Sequence, residues 1–205
     1  STVNTLLFVF NLCIFGASSG AGIFTAQFFG SKDHEGVRHT FRYKIIASLA
    51  VLVLGVMIFT FFGTELITLY LRGEGTEGNK VLTLASGQEY LSIMLWGLIP
   101  FTITQVYAST LRETNRTLPP MFAGLIAVLT NLVLDWAMIF GHLGFPAMGV
   151  KGAALATVIS RFAECIIVVV WTHANSRTNE FIQGAFRSMK IPAELVKKII
   201  ISGLP

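Results

Sequence analysis

Five apolar runs, each long enough to cross a bilayer, constrain this chain more than any other feature. They cover about residues 3–29, 41–71, 84–111, 120–141 and 148–173. A helix rises about 1.5 Å per residue and the hydrocarbon core is about 30 Å thick, so roughly 20 apolar residues span it. The connectors between runs are short and polar, which makes successive helices antiparallel. Alternating polar and apolar strand patterns are absent, so an outer-membrane barrel is not expected. Hydrophobic residues make up 53% of the chain and charged residues only 13%, against roughly 25% charged in a typical soluble domain. The expectation is an all-α polytopic membrane protein, with the bilayer as its first partner.

The basic residues orient the spans. One set of connectors carries Lys32, Arg38, Arg42 and Lys44, then Arg112 and Arg116, then Arg177, Arg187, Lys190, Lys197 and Lys198. The opposite side carries Arg72, Lys80 and Lys151, so the division is 11 to 3. Basic loops stay in the cytoplasm, which places the richer side and the tail there and makes the protein multi-pass in a cell (plasma or inner) membrane. The net charge of +4 does not indicate nucleic acid, because the basic residues are spread over loops instead of lining one face.

Polar groups inside apolar runs need a reason, and the fourth and fifth runs hold most of them. Asp135 is an acidic residue in the middle of 120–141, with Asn131 one turn before it on the same helical face. By helical rise Asp135 lies about 9 Å and Asn131 about 15 Å below the outer end of that helix. On the fifth helix Thr157, Arg161 and Glu164 fall at about 12, 18 and 22 Å, and Asn11 on the first at about 15 Å. Asn11, Asn131, Asp135 and Thr157 are thus four oxygen-bearing side chains at similar depth. Oxygen ligands with a carboxylate suit a proton or a hard monovalent cation such as Na⁺. Arg161 and Glu164, three residues apart, are expected to form an internal ion pair or to take part in coupling.

Other motifs carry less. Asn4, Asn11 and Ser18 form a polar stripe on the first helix, followed by a small-residue match from Gly16 to Gly20 that suits close helix packing. Pro100 should kink the third helix. The spacing G-x-G-x-x-G at 73–78 follows a membrane helix and contains Glu74 and Glu77, which would repel a pyrophosphate, so it is rejected as a nucleotide site. Cys13 and Cys165 stand alone in apolar helices. The four histidines, at 34, 39, 142 and 173, sit at membrane edges and no His-Glu-x-x-His occurs, which argues against an intramembrane hydrolase and against a resident cofactor.

Beyond residue 173 the tail turns polar. Phe181, Ile182, Ala185, Phe186 and Met189 are read as one face of an amphipathic helix on the inner membrane surface, beside Arg187 and Lys190. Pro192 then opens another helix from Ala193. Residues 1–173 therefore read as a transmembrane lobe and 174–205 as a cytoplasmic amphipathic linker with the start of a next helix. An apolar run already under way at Ser1, and another beginning near Pro205, read as a piece of a longer protein.

The sequence LRETNRTLPP at 111–120, Asn131 and Asp135 with three residues between, IFG-x-LGFPAMGVKGAALAT at 139–157, and Ala26-Gln27-Phe28-Phe29-Gly30 together resemble the multidrug and toxic compound extrusion (MATE) transporters. The resemblance runs along essentially the whole chain, which would supply helices two to six of the family's first six-helix lobe. It implies secondary active export of an organic cation or amphipathic drug, driven by inward Na⁺ or H⁺ through alternating access of two lobes. Asn131 and Asp135 match the family's cation site, for which the resemblance implies Na⁺ or a proton, and Thr157 looks like a further member. The resemblance also implies a second lobe of the same polypeptide as a partner. A flippase for lipid-linked oligosaccharides shares the broad architecture and is the alternative; it would need a large cationic cavity, for which Arg161 alone is available.

Overall fold

A computed structural model describes the backbone of residues 2–71 and 77–203, and the side chains of 7–63, 65 and 88–202. Five long helices follow in order: α1 (Thr2–Gly30), α2 (His34–Leu71), α3 (Glu77–Glu113), α4 (Leu118–Phe140) and α5 (Val150–Ala174). A single 3₁₀ turn, Glu180–Ile182, leads to a short helix, α6 (Ala193–Gly203). Each long helix contains a segment apolar and long enough to cross a membrane, and no strand occurs among the described residues. Residues 73–76 of the G-x-G-x-x-G motif, the side chains of its last two residues and that of Asn4 lie outside the described residues.

The chain's turns set where helices begin. After α1, Lys32 adopts a left-handed conformation (φ 59°) and Asp33 accepts a 3.0 Å hydrogen bond from the Gly36 amide. That aspartate caps α2, with Glu35 in the first turn where the helix dipole favours a negative charge. α2 therefore begins seven residues before the apolar run at 41, because an apolar run marks what lipid covers and a helix can project beyond it. Pro119 and Pro120 open α4, where a missing amide costs nothing. Gly141 ends it in a left-handed conformation (φ 79°), its amide bonded to the Ala137 carbonyl. The loop returns through a 2.8 Å bond from the Met148 amide to the Met138 carbonyl.

α3 and α5 form the centre of the bundle. α1 and α2 pack on each other and on α3, whereas α4 packs on α5 and scarcely touches α3. At the outer half, Leu7, Phe10 and Ile14 of α1 meet Leu52 and Phe59 of α2, Leu98 of α3 and Val158 of α5. At the inner half, Phe41 is fully buried against the rings of Tyr107 and Phe181, at 5.2 and 5.1 Å between centroids. Leu125, Val128, Leu129, Leu132 and Val133 of α4 remain exposed, which suits a face turned to lipid.

Two expectations fail at the end of the bundle that carries the tail. The tail does not form an amphipathic helix on the membrane surface: it turns at Gly184 (φ 72°) and inserts Phe181, Ile182 and Ala185 into the bundle. Arg42 holds this turn by donating to the carbonyls of Ala185 (2.9 Å), Gly184 (2.9 Å) and Lys190 (3.2 Å), and Arg38 donates to that of Glu180 (3.1 Å). The left-handed Gly184 interrupts a continuous helix, and the arginines of α2 hold the resulting turn by its carbonyls. The second failure follows, because Arg42 and Lys44 are not loop charges: both lie within α2, 7% and 0% exposed.

Candidate functional site

The helical hairpin of α4 and α5 carries most of the intramembrane polar groups. Gly152 lies so close to α4 that an added Cβ would stand 2.7 Å from the Met138 carbonyl oxygen, and Glu164 faces Gly124 lower down. These two contacts fix the antiparallel register. They put Asp135 roughly level with Leu155 and Thr157 within about one helical turn of Asn131.

Asn131 and Asp135 follow Ala123 and Ala127 at four-residue steps, which drift about 40° each and carry the pair to the edge of the buried face of α4. Both are half-buried. With its amide nitrogen turned toward the carboxylate, Asn131 donates to Asp135 Oδ2 at 2.9 Å and to Oδ1 at 3.3 Å. The i, i+4 spacing brings the two groups together without help from another helix. Each carboxylate oxygen keeps a lone pair free, so Asp135 can still accept a proton or ligate a cation.

Thr157 does not join this pair. Its hydroxyl donates to the Ala153 carbonyl at 3.0 Å, back-bonding within α5, and Ser160 in turn donates to the Thr157 carbonyl at 2.7 Å. The Thr157 oxygen still has lone pairs to offer. Asn131 and Asp135 are thus paired on α4, and Thr157 is at similar depth on α5 with its hydroxyl bonded within its own helix.

Asn11 is on α1, which packs on α2 and α3, and its side-chain oxygen is buried without a hydrogen-bond partner. The four-oxygen level is thus divided between two parts of the bundle. Arg161 and Glu164 do not form the expected ion pair. Three residues of helix leave their directions about 60° apart, enough to send them into different interfaces. Arg161 turns toward α3, with its guanidinium 5.2 Å from the centroid of Phe101 and next to Gly97, and its Nη1 is buried without a partner. Glu164 turns toward α4 instead.

The sequence reading missed the tightest polar cluster among the described residues. Lys44 Nζ donates to Glu113 Oε2 (2.5 Å), Thr110 Oγ1 (3.0 Å) and Ser109 Oγ (3.1 Å), joining α2 to the last turn of α3. All three ammonium hydrogens are used, which is how a fully buried lysine is accommodated. The available signal was Asp33, whose capping position starts α2 early and carries Lys44 three turns into it. Elsewhere, Tyr107 and His173 meet at 2.9 Å, and Lys151 in the first turn of α5 lies 3.7 Å from Glu89 within α3.

Comparison with known proteins places this arrangement. The MatE family model matches residues 1–137. A probable multidrug resistance protein NorM of Thermotoga maritima is 33% identical over 159 residues, which cover 78% of this chain and 33% of that protein. A probable multidrug resistance protein YoeA of Bacillus subtilis is 25% identical over 190 residues, covering 93% of this chain and 40% of that one. The chain thus spans between a third and two fifths of the length of these relatives. Among solved structures, the inward-facing conformation of a multidrug resistance MATE family transporter of the MOP superfamily superposes with a TM-score of 0.81 at 23% identity, over 100% of this chain and 44% of that one. An outward-facing conformation gives 0.74 at 25% identity, over 98% and 44%.

Proposed function

This chain belongs to the MATE family, and from that premise we propose that it is most of one lobe of a cation-coupled secondary exporter of organic cations or amphipathic drugs. MATE proteins are transporters and not enzymes, and the hairpin of α4 and α5 offers a place where an ion can act. The observation that carries the reading is the hydrogen-bonded pair of Asn131 and Asp135 on α4.

The pair can act as a switch. As a carboxylate, Asp135 only accepts, and Asn131 supplies a donor to it within the bilayer. Once neutralised by a proton, the carboxyl both donates and accepts, and no longer requires Asn131 in that orientation. A bound Na⁺ would neutralise the charge equally, with Asn131 turned to present its oxygen. Either event changes which packing of α4 against α5 is favoured, and a change in packing is what alternating access needs. The second lobe would come from the same polypeptide, with the tail after α5 on the cytoplasmic side of a cell membrane.

The test uses the full-length protein in everted membrane vesicles with a fluorescent organic cation, under an imposed Na⁺ gradient and then a proton gradient. Wild type should transport under one of them, which identifies the ion, and Asp135→Asn should lose that transport while expressing normally. Undiminished gradient-driven transport by Asp135→Asn would remove the coupling role from this pair.

A further inference from the structure

The buried pair of Lys44 and Glu113 forms the back of a groove that the ion-coupling proposal does not use. The groove, about 180 Å³, lies between α1 and the inner end of α3 and is lined by Phe15, Ser18, Gln105, Ser109, Arg112 and Glu113. Ser18 is only 3% exposed, and its hydroxyl is buried without a hydrogen-bond partner. An unpaired hydroxyl in such a position costs free energy unless something else satisfies it.

Charge narrows what that partner is. Glu113 gives Oε2 to Lys44, its Oε1 packs against α1 at Gly22, and its side chain keeps 20% exposure. Arg112 is exposed and makes no side-chain hydrogen bond among the described residues; the charges that feel it are Glu164 of α5 and Lys44 of α2, neither within salt-bridge distance. A simple cation would face Arg112 with Lys44 behind it, and a simple anion would face Glu113. A molecule carrying both charges meets a partner for each. At about 180 Å³ the groove is smaller than the several hundred Å³ of a site that encloses a drug-sized ligand. It therefore suits a polar head, with the apolar remainder running out along Phe15, whose ring is 59% exposed.

We propose that this groove is a binding site for the zwitterionic head of an amphiphile, whose acidic group pairs with Arg112 and whose ammonium donates to Glu113 Oε1. Ser18 and Gln105 supply further hydrogen bonds to the head, and Lys44 holds the Glu113 carboxylate in place. Such a head can belong to a free amphiphile from the cytoplasm or to an aminophospholipid of the surrounding leaflet.

The experiment is equilibrium binding to the full-length protein in nanodiscs, without ion gradients, so that it is independent of coupling at Asp135. Two probes serve: Nε-dansyl-lysine, a zwitterion, and dansylcadaverine, which differs from it by lacking the carboxylate. Wild type should bind the zwitterion about tenfold or more tighter, the magnitude of one charge-assisted hydrogen bond. Arg112→Gln should remove that difference. Glu113→Gln alone would strand Lys44, so the ammonium contact is tested with Lys44→Met/Glu113→Gln, which should weaken both probes about tenfold while unfolding near the wild-type temperature. In nanodiscs of phosphatidylglycerol alone, addition of phosphatidylethanolamine should displace dansyl-lysine if the lipid head is the occupant, and leave it bound if a free amphiphile is. Equal affinity for the two probes, or a preference that survives Arg112→Gln, would overturn the assignment.

Discussion

Substituting Lys44 with Met in the full-length protein tests whether the inner end of the lobe is held by a buried ion pair. The substitution removes one charge and three donated hydrogen bonds, to Glu113, Thr110 and Ser109. The two hydroxyls lose only an acceptor role, because Ser109 and Thr110 donate their own hydrogens to the Val106 carbonyl at 3.2 and 2.9 Å. The main cost is therefore the stranded Glu113 carboxylate. Breaking a buried pair from one side costs about 3–5 kcal/mol. Glu113 keeps 20% side-chain exposure and can recruit water, which places the expected loss near the lower end, about 3 kcal/mol. Removing both charges in Lys44→Met/Glu113→Gln should restore stability to within about 1 kcal/mol of wild type, since an uncharged pair of similar size no longer carries the desolvation penalty. Thermal unfolding in detergent, followed by tryptophan fluorescence, reads both variants and the Glu113→Gln single, completing a double-mutant cycle. A double variant as unstable as the Lys44→Met single would refute the reasoning, because the loss would then come from packing around residue 44 and not from an unpaired charge.

Gly152→Ala should destabilise the hairpin by about 1–3 kcal/mol, since the new Cβ would lie 2.7 Å from the Met138 carbonyl and α4 and α5 would have to separate; the unfolding temperature checks it. Asn131→Leu should keep the protein folded yet reduce gradient-driven transport at least tenfold, because Asp135 loses its donor; vesicle transport as fast as wild type would count against the paired role. Arg42→Gln should release the turn around residues 184–190 from α2, which limited trypsin digestion at Arg187 and Lys190 would register as faster cleavage than in wild type.

The spans were legible because lipid imposes a simple requirement on sequence. A run of about 20 apolar residues has few alternatives to a helix, and Gly141 and the Pro119-Pro120 pair mark ends by backbone geometry alone. The pairing of Asn131 with Asp135 was legible for a related reason, since i, i+4 neighbours on one helix meet whatever the tertiary structure does. Features that depend on direction were not. Arg161 and Glu164 look like a pair by spacing, but Gly97 on α3 and Gly124 on α4 leave room for each in a different interface, and nothing local to α5 reveals which neighbour will be small.

The tail shows the same limit at larger scale, and explains why its apolar residues were misplaced. Phe181, Ile182 and Ala185 have the spacing of a surface helix, and on that spacing a membrane surface is a reasonable destination. What decides otherwise is Arg42, about 140 residues away in sequence, which takes three tail carbonyls and is itself 7% exposed. An arginine counted as a loop charge by the positive-inside rule thus serves as an internal clamp. The distinction depends on where α2 begins, and that depends on one capping residue, Asp33. With α2 starting at His34, Arg42 and Lys44 lie eight and ten residues inside a packed helix, and from there come the clamp on the tail, the buried pair with Glu113, and the groove in front of it.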